Sequence, residues 1–116
     1  MITVYGIPNC DVIKKATSWL QANKIAYTFH DYRKDGIETD KLRGWCKQTG
    51  YETIFNKRST TWKELDPKIQ AAVDSEAAAI RVMSEHTSII KRPVIEKNGK
   101  VVAVGFDEKK YREIFK

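Results

Sequence analysis

The first thirty residues change hydrophobic period twice, and this pattern constrains the fold more than any other feature of the sequence. Ile2–Tyr5 is a short β-branched and aromatic run that ends at Gly6, which is typical of a buried strand. From Asp11 to about Asn23 the apolar residues recur at helical spacing. Ile25–His30 then alternates apolar and polar residues, as a second strand does. This order predicts a βαβ unit with parallel strands.

Polar residues suited to cap helices divide the middle of the chain. The candidate N-caps are Thr39, Thr60 or Thr61, Asp66, and Ser75 or Asp74. In the helix that starts after Asp66, Pro67 takes the first position, and we expect Ile69, Ala72 and Val73 to face the core. The middle of the chain is therefore predicted to be helical.

The C-terminal third returns to strands. Pro93–Glu96 and Lys100–Val104 flank Asn98-Gly99, a dipeptide suited to the type I′ turn of an antiparallel hairpin, and Asp107 can cap a final helix. With the N-terminal unit, this predicts an α/β protein with a mixed four-stranded, thioredoxin-like sheet. We expect one domain over residues 1–116, with a helical insertion after the second strand at roughly 37–88.

Composition excludes several classes of protein. A chain of 116 residues can form a hydrophobic core without disulfide cross-links, and two cysteines are too few for a disulfide scaffold. Its apolar runs are far shorter than the ~20 residues that span a bilayer, and Met1 directly precedes the first strand. We therefore expect a cytoplasmic protein with no membrane contact. The net charge of +6 comes from basic residues interleaved with acids, which favours a solvated surface over a direct nucleic-acid interface.

Cys10 is the strongest candidate for a reactive group. It stands where the first strand passes into the first helix, so unpaired backbone amides and the helix dipole can stabilise its thiolate. Lys14 adds positive charge one turn on, whereas the adjacent Asp11 opposes it, so the direction of the pKa shift stays open. A purely structural role is the alternative. Cys46 lies on an apolar helix stripe and is predicted to be a packing residue, and the few scattered histidines and cysteines predict no metal site.

Four segments in the same order along the chain resemble the arsenate reductase/Spx family, and within it the small bacterial YffB-like proteins. They are Tyr5–Ala16, Asn56–Trp62, Ile90–Val94 and Val104–Phe106. The resemblance implies a thioredoxin-like fold with a helical insertion. It also implies that Cys10 is the nucleophile, which in arsenate reductases attacks arsenate and is recycled by glutathione and glutaredoxin.

The resemblance further assigns candidate binding residues. Arg58 and Arg92 match two arginines that hold the oxyanion in arsenate reductases, and guanidinium groups bind such anions in a bidentate manner. Pro93 matches the proline, usually cis, that precedes the third strand in thioredoxin-like folds. The candidate set for substrate or glutathione is Asn9, Lys14, Arg58, Arg92 and Pro93.

Three positions depart from the family's patterns. Gly6 replaces a histidine and Gly105 replaces a third arginine of the arsenate reductases, and Ile13 replaces the second cysteine of the Spx redox switch. We therefore expect a monomeric, glutathione-dependent thiol reductase with one nucleophilic cysteine, no bound cofactor and glutathione as co-substrate, acting on an oxidised or glutathionylated small molecule or protein. The alternatives are an Spx-like adaptor that contacts RNA polymerase, and a weak arsenate reductase.

Overall fold

A computed structural model describes residues 1–8 and 10–115, so the Asn9 prediction lies outside the described residues. The strands are β1 (Ile2–Gly6), β2 (Thr28–Asp31), β3 (Val94–Lys97) and β4 (Lys100–Val104). The helices are α1 (Asp11–Ala22), α2 (Tyr32–Asp35), α3 (Thr39–Thr49), α4 (Tyr51–Ile54), α5 (Thr60–Glu64), α6 (Pro67–Ala72), α7 (Glu76–Glu85) and α8 (Glu108–Ile114), with a 3₁₀ turn at Thr87–Ile89. The chain divides into two compact units, Met1–Tyr32 with Arg92–Lys116, and Arg33–Lys91.

The first unit contains the whole sheet. Its strand order is β2-β1-β3-β4, with β2 parallel to β1 and the other pairs antiparallel, which confirms the predicted mixed four-stranded sheet. The strand predicted at Ile25–His30 begins later, at Thr28. Lys24 takes a left-handed φ of 59°, and the amide of Ile25 still donates to the carbonyl of Leu20 at 2.9 Å. These residues therefore close the end of α1 and cannot join the ladder.

The two faces of the sheet differ in chemistry. Strand alternation puts Val4 and Ile95 on one face, where they form a core with α1 and α8. That core consists of Val4, Ala16, Leu20, Ile95 and Tyr111. The same register puts Tyr5, His30 and Glu96 on the opposite face, where Tyr5 and Glu96 are buried. One face of the sheet is therefore apolar, and the other carries buried polar groups.

The predicted hairpin forms as expected. Asn98 and Gly99 have φ angles of 54° and 84°, the positive values that a type I′ turn requires. After β4, the side chain of Asp107 accepts a hydrogen bond from the amide of Lys110 at 3.2 Å and caps α8. Both features follow from local sequence chemistry.

The second unit is helical. Helix α3 packs against α4 and α7 and buries Leu42, Trp45 and Cys46. Phe55 pairs with Ile90 in an isolated antiparallel bridge, and its ring meets Trp62 edge-on at a centroid distance of 4.9 Å. None of the helices that the structure describes is both long and apolar enough to cross a membrane.

The caps of this unit are partly as predicted. Ser75 and Asp66 accept hydrogen bonds from the amides of Ala78 and Lys68. The predicted cap at Thr60 or Thr61 is wrong. The N-cap of α5 is Ser59, whose hydroxyl oxygen accepts a hydrogen bond from the amide of Trp62 at 3.0 Å, and Thr60 is already the first helical residue. Thr39 is already the first helical residue of α3, after Glu38 at the N-cap.

The inward direction of α6 was also predicted wrongly. Ile69 is 43% exposed, and Ala72 is exposed as well, whereas Val73 at the C-cap is half-buried. The side chain amide of Gln70 donates to the carbonyl of Trp62 at 2.8 Å, so a polar residue satisfies the end of α5 from this helix. In the orientation in which Gln70 makes this contact, Ile69 lies toward solvent.

Candidate active site

Cys10 is the N-cap residue of α1. Its backbone is extended, with φ −106° and ψ 133°, and its carbonyl accepts the first helical hydrogen bond from the amide of Lys14 at 2.9 Å. The thiol is free and only partly buried. The sulfur is therefore accessible and lies beside the amides that open the helix.

The surroundings of Cys10 favour its thiolate. Partial burial opposes ionisation, but the backbone amides of Ile13 and Val12 and then the guanidinium of Arg92 stabilise the anion, so the pKa of Cys10 is lowered. Within the described residues, the thiol of Cys10 makes no capping hydrogen bond of standard geometry. The backbone amides therefore stabilise the charged thiolate, and the neutral thiol does not cap the helix. The direction of the shift, which the sequence left open, is now set.

Arg92 reaches Cys10 from the loop before β3. It hydrogen-bonds to the sulfur and adds a favourable charge. The Arg92–Pro93 peptide is cis, and the buried Pro93 accepts a hydrogen bond at its carbonyl from the amide of Gly105 at 2.8 Å. Of the predicted binding residues, the structure brings Arg92 into contact with Cys10.

The other predicted binding residues have different environments. Lys14 lies in the first turn of α1, with its side chain exposed. Arg58 belongs to the second unit, in the turn before α5, where its amide donates to the side-chain oxygen of Asn56 at 3.1 Å and its side chain is exposed.

Two glycines stand at positions where arsenate reductases carry side chains. A Cβ atom on Gly6 would collide with Cδ1 of Ile13 and would lie 3.6 Å from Cβ of Arg92. Gly105 instead has open space around it and a left-handed φ of 81°. A side chain at position 6 is therefore excluded by Ile13, whereas a side chain at position 105 is disfavoured by the backbone conformation.

Cys46 has the opposite character to Cys10. It is only 2% exposed within the second unit. Burial, with a smaller contribution from the carboxylate of Glu76, raises the pKa of Cys46 to about 11. A buried neutral thiol is unreactive, which agrees with the predicted packing role.

The first unit also contains a buried polar pair that was not predicted from the sequence. The hydroxyl of Tyr5 donates to Oε1 of Glu96 at 2.9 Å, and Glu96 is only 5% exposed. The available clue was a carboxylate at an alternate position of a strand that is otherwise apolar. Among the residues that the structure describes, no group of three or more His, Cys, Asp or Glu side chains could hold a metal ion.

Comparison with known proteins identifies the family. The model of the ArsC family matches residues 5–114. An uncharacterized protein of Haemophilus influenzae is 44% identical over 99% of both chains, and the global transcriptional regulator Spx of Streptococcus mutans is 29% identical over 97% of this chain and 81% of its own. A solved structure named YFFB protein superposes with a TM-score of 0.92 at 43% identity over 98% of both chains, which confirms the thioredoxin-like fold. Because the family model spans nearly the whole sequence, this chain belongs to the ArsC family.

Proposed function

We propose that the protein is a glutathione-dependent thiol reductase with Cys10 as its nucleophile. The observation that supports this most directly is the lowered pKa of Cys10, which follows from the amides of Ile13 and Val12 and from Arg92. A larger thiolate fraction at neutral pH raises the rate of attack on a disulfide. A free, partly exposed sulfur at the start of a helix suits such an attack.

The reaction uses one protein sulfur and two molecules of glutathione. The Cys10 thiolate attacks the glutathione sulfur of a mixed disulfide, so that a Cys10–glutathione disulfide forms and the substrate leaves as a thiolate that takes up a proton. A glutathione thiolate then attacks the glutathione sulfur bound to Cys10, which yields glutathione disulfide and restores the Cys10 thiolate. The substrate is reduced by two electrons and two glutathiones are joined. Ile13 stands where a resolving cysteine would be, so the second thiol comes from solution.

The proposal assigns glutathione binding to cationic and polar side chains. Glutathione carries carboxylates, and Arg58, Lys14 and Asn9 offer groups that can hold them. Pro93 would present backbone beside the sulfur. No bound cofactor enters the reaction, and the scheme suits the cytoplasm, where glutathione is kept reduced.

Two measurements test the proposal together. The first is the pH dependence of Cys10 alkylation, read by peptide mass spectrometry, which we expect to give a pKa below the ordinary ~8.5 of a thiol. The second is the turnover of a glutathione–mercaptoethanol mixed disulfide. Cys10→Ser should abolish turnover and Cys46→Ala should leave it intact. An ordinary pKa combined with no turnover would refute the reductase.

An Spx-like adaptor is the second candidate. The 29% identity to a global transcriptional regulator over almost the whole chain favours it. In this case the protein would contact RNA polymerase and Cys10 would be dispensable. Recovery of RNA polymerase in a pull-down with Cys10→Ser, together with full function of that variant in cells, would favour the adaptor.

Arsenate reduction ranks third. The side chains that arsenate reductases carry at positions 6 and 105 are replaced by glycine, which removes two groups from the anion site. An assay with arsenate, glutathione and glutaredoxin should therefore show weak activity or none, and turnover comparable with that of the mixed disulfide would make arsenate the substrate.

A further inference from the structure

Three buried polar side chains, here called the polar cluster, lie together on the side of the sheet opposite the apolar core: Tyr5 of β1, Glu96 of β3 and Tyr32 of α2. The Tyr5 hydroxyl donates to the Glu96 carboxylate at 2.9 Å. The rings of Tyr5 and Tyr32 are stacked with centroids 6.4 Å apart. Tyr32 is 1% exposed and Glu96 is 5% exposed. Burial of a carboxylate is unfavourable unless hydrogen-bonding partners are well placed, so Glu96 requires the surrounding side chains to keep fixed positions.

The cluster is connected to the residues around Cys10. Tyr5 is followed directly by Gly6, and a Cβ on Gly6 would lie 3.6 Å from Cβ of Arg92. Burial raises the pKa of Tyr32, Tyr5 and Glu96 raise it further, and the charge of Arg92 lowers it. The charges of Arg92 and Glu96 thus both affect the ionisation of the Tyr32 hydroxyl, with opposite sign. The Arg92 guanidinium therefore interacts electrostatically with the cluster.

The strand that carries Glu96 is irregular at this point. The ladder between β3 and β4 shifts register between Ile95 and Glu96. Bulges of this kind redirect a side chain and are frequent beside active sites. In the antiparallel register of β1 and β3, Thr3 faces Glu96 and Tyr5 faces Val94, so the hydrogen bond from Tyr5 to Glu96 is a diagonal cross-strand contact.

We propose that Tyr5, Tyr32 and Glu96 are positioning residues that hold the Arg92 guanidinium against the Cys10 sulfur. Arginine has a long side chain with much rotamer freedom, and a contact with a partly exposed sulfur alone must overcome that entropy. In this proposal the Glu96 carboxylate, which accepts the hydrogen bond of Tyr5, acts as the second partner of the cation, and the Tyr32 ring stacked on Tyr5 keeps that carboxylate in place. The proposal rests on the proposed function only in treating Cys10 as the nucleophile.

The sign of one effect separates positioning from direct electrostatics. A nearby carboxylate by itself disfavours a thiolate, so neutralising Glu96 without any other change would lower the pKa of Cys10. If Glu96 instead holds Arg92 in place, neutralising it weakens the contact between Arg92 and the sulfur, and the pKa of Cys10 rises. The two explanations therefore predict opposite shifts for Glu96→Gln.

The test measures the rate of Cys10 alkylation by iodoacetamide from about pH 5 to about pH 10. For Tyr5→Phe, Tyr32→Leu and Glu96→Gln, which remove the hydroxyl donor, the stacked ring and the carboxylate charge, we expect the midpoint to move upward and the rate at neutral pH to fall about threefold. Tyr27→Phe is the matched control, because the Tyr27 hydroxyl accepts from Gln21 at 3.1 Å at an exposed position. It should alkylate as the parent protein does.

Circular dichroism and the free energy of unfolding accompany each variant. A purely structural role for the cluster would lower stability and leave the alkylation midpoint in place, and this result would overturn the proposal, as would a lowered midpoint in Glu96→Gln. If Tyr32→Leu fails to fold, Tyr5→Phe and Glu96→Gln decide. Absence of glutathione turnover in the parent protein together with the expected midpoint shifts would refute the reductase and leave the positioning role standing.

Discussion

The side chain of Ile13 occupies the space that a Cβ atom on Gly6 would need. Cδ1 of Ile13 would overlap with that atom and Cγ1 would lie 3.2 Å from it. Ile13 is 4% exposed, so it fills this space as part of the packed interior. The end of β1 and the first turn of α1 therefore approach more closely than a side chain at position 6 would allow.

This contact predicts non-additive mutations. Gly6→Ala forces Ile13 out of its position and should reduce the free energy of unfolding by about 1–3 kcal/mol. Ile13→Val removes Cδ1 and should by itself destabilise by about 1 kcal/mol. The double variant should be more stable than the sum of the two losses implies, as measured by denaturant unfolding. If the two losses of unfolding free energy were additive, Ile13 would not be the residue that excludes a side chain at position 6.

Replacing Ile13 with cysteine should shorten the lifetime of the Cys10–glutathione disulfide. Ile13→Cys puts a second thiol three residues after Cys10, in the Cys-x-x-Cys spacing. The new thiolate can attack the Cys10 sulfur of the mixed disulfide, which forms a disulfide within the protein and releases glutathione as a thiolate. The Cys10–glutathione intermediate should then be much shorter-lived when followed by mass spectrometry. Ile13→Val is the control and should preserve the parent lifetime. An unchanged lifetime in Ile13→Cys would show that the new thiol cannot reach the sulfur of Cys10.

Removing the charge of Arg92 should raise the pKa of Cys10. With Arg92→Gln the thiolate loses its hydrogen bond and its neighbouring cation, and alkylation at neutral pH should slow about fivefold. Arg92→Lys should fall between Gln and the parent, because the charge remains but the planar fork is lost. Arg112→Gln removes an exposed arginine of α8 and should have no effect. An effect of equal size at Arg112 would point to net charge rather than to contact.

The buried Cys46 thiol should make stability depend on alkaline pH. Its pKa in the folded protein is about 11, whereas an unfolded cysteine titrates near 8.5. The unfolded state therefore releases its proton first, and this residue lowers the free energy of unfolding as pH rises from about 8.5 towards 11, with no such loss below that window. Cys46→Ala should show a flatter decline up to about pH 10 in urea unfolding. Parallel declines for the two proteins would contradict the raised pKa.

Local chemistry made much of the fold predictable. Asn98-Gly99 determines its own turn through positive φ angles, and Asp66 and Asp107 cap helices through their own side chains. Ile69 was predicted wrongly because helical spacing identifies an apolar stripe without saying whether anything covers it. On α6 the polar Gln70 makes a hydrogen bond to Trp62, eight residues earlier in the sequence, and no periodic pattern contains such a contact.

The candidate site was predictable only in part, for a similar reason. The position of Cys10 followed from the change of hydrophobic period, but the direction of its pKa shift required the approach of Arg92 from a loop more than eighty residues later in the sequence. The pair of Tyr5 and Glu96 is likewise a contact between distant strands, created by the register of β1 and β3. Contacts of this kind arise from sheet topology and leave little trace in a single sequence.

The position of β1 inside the sheet limits the motion of Cys10, which follows this strand along the chain. β1 is hydrogen-bonded to a strand on each side, whereas β2 and β4 are the edges of the sheet. Opening fluctuations begin at frayed edges and reach doubly paired strands last, so the amides of β1 should exchange with solvent deuterium among the slowest in this unit. Cys10 follows β1 along the chain and is thus connected to one of the two internal strands of the sheet, so that fraying of the edge strands leaves its position unchanged.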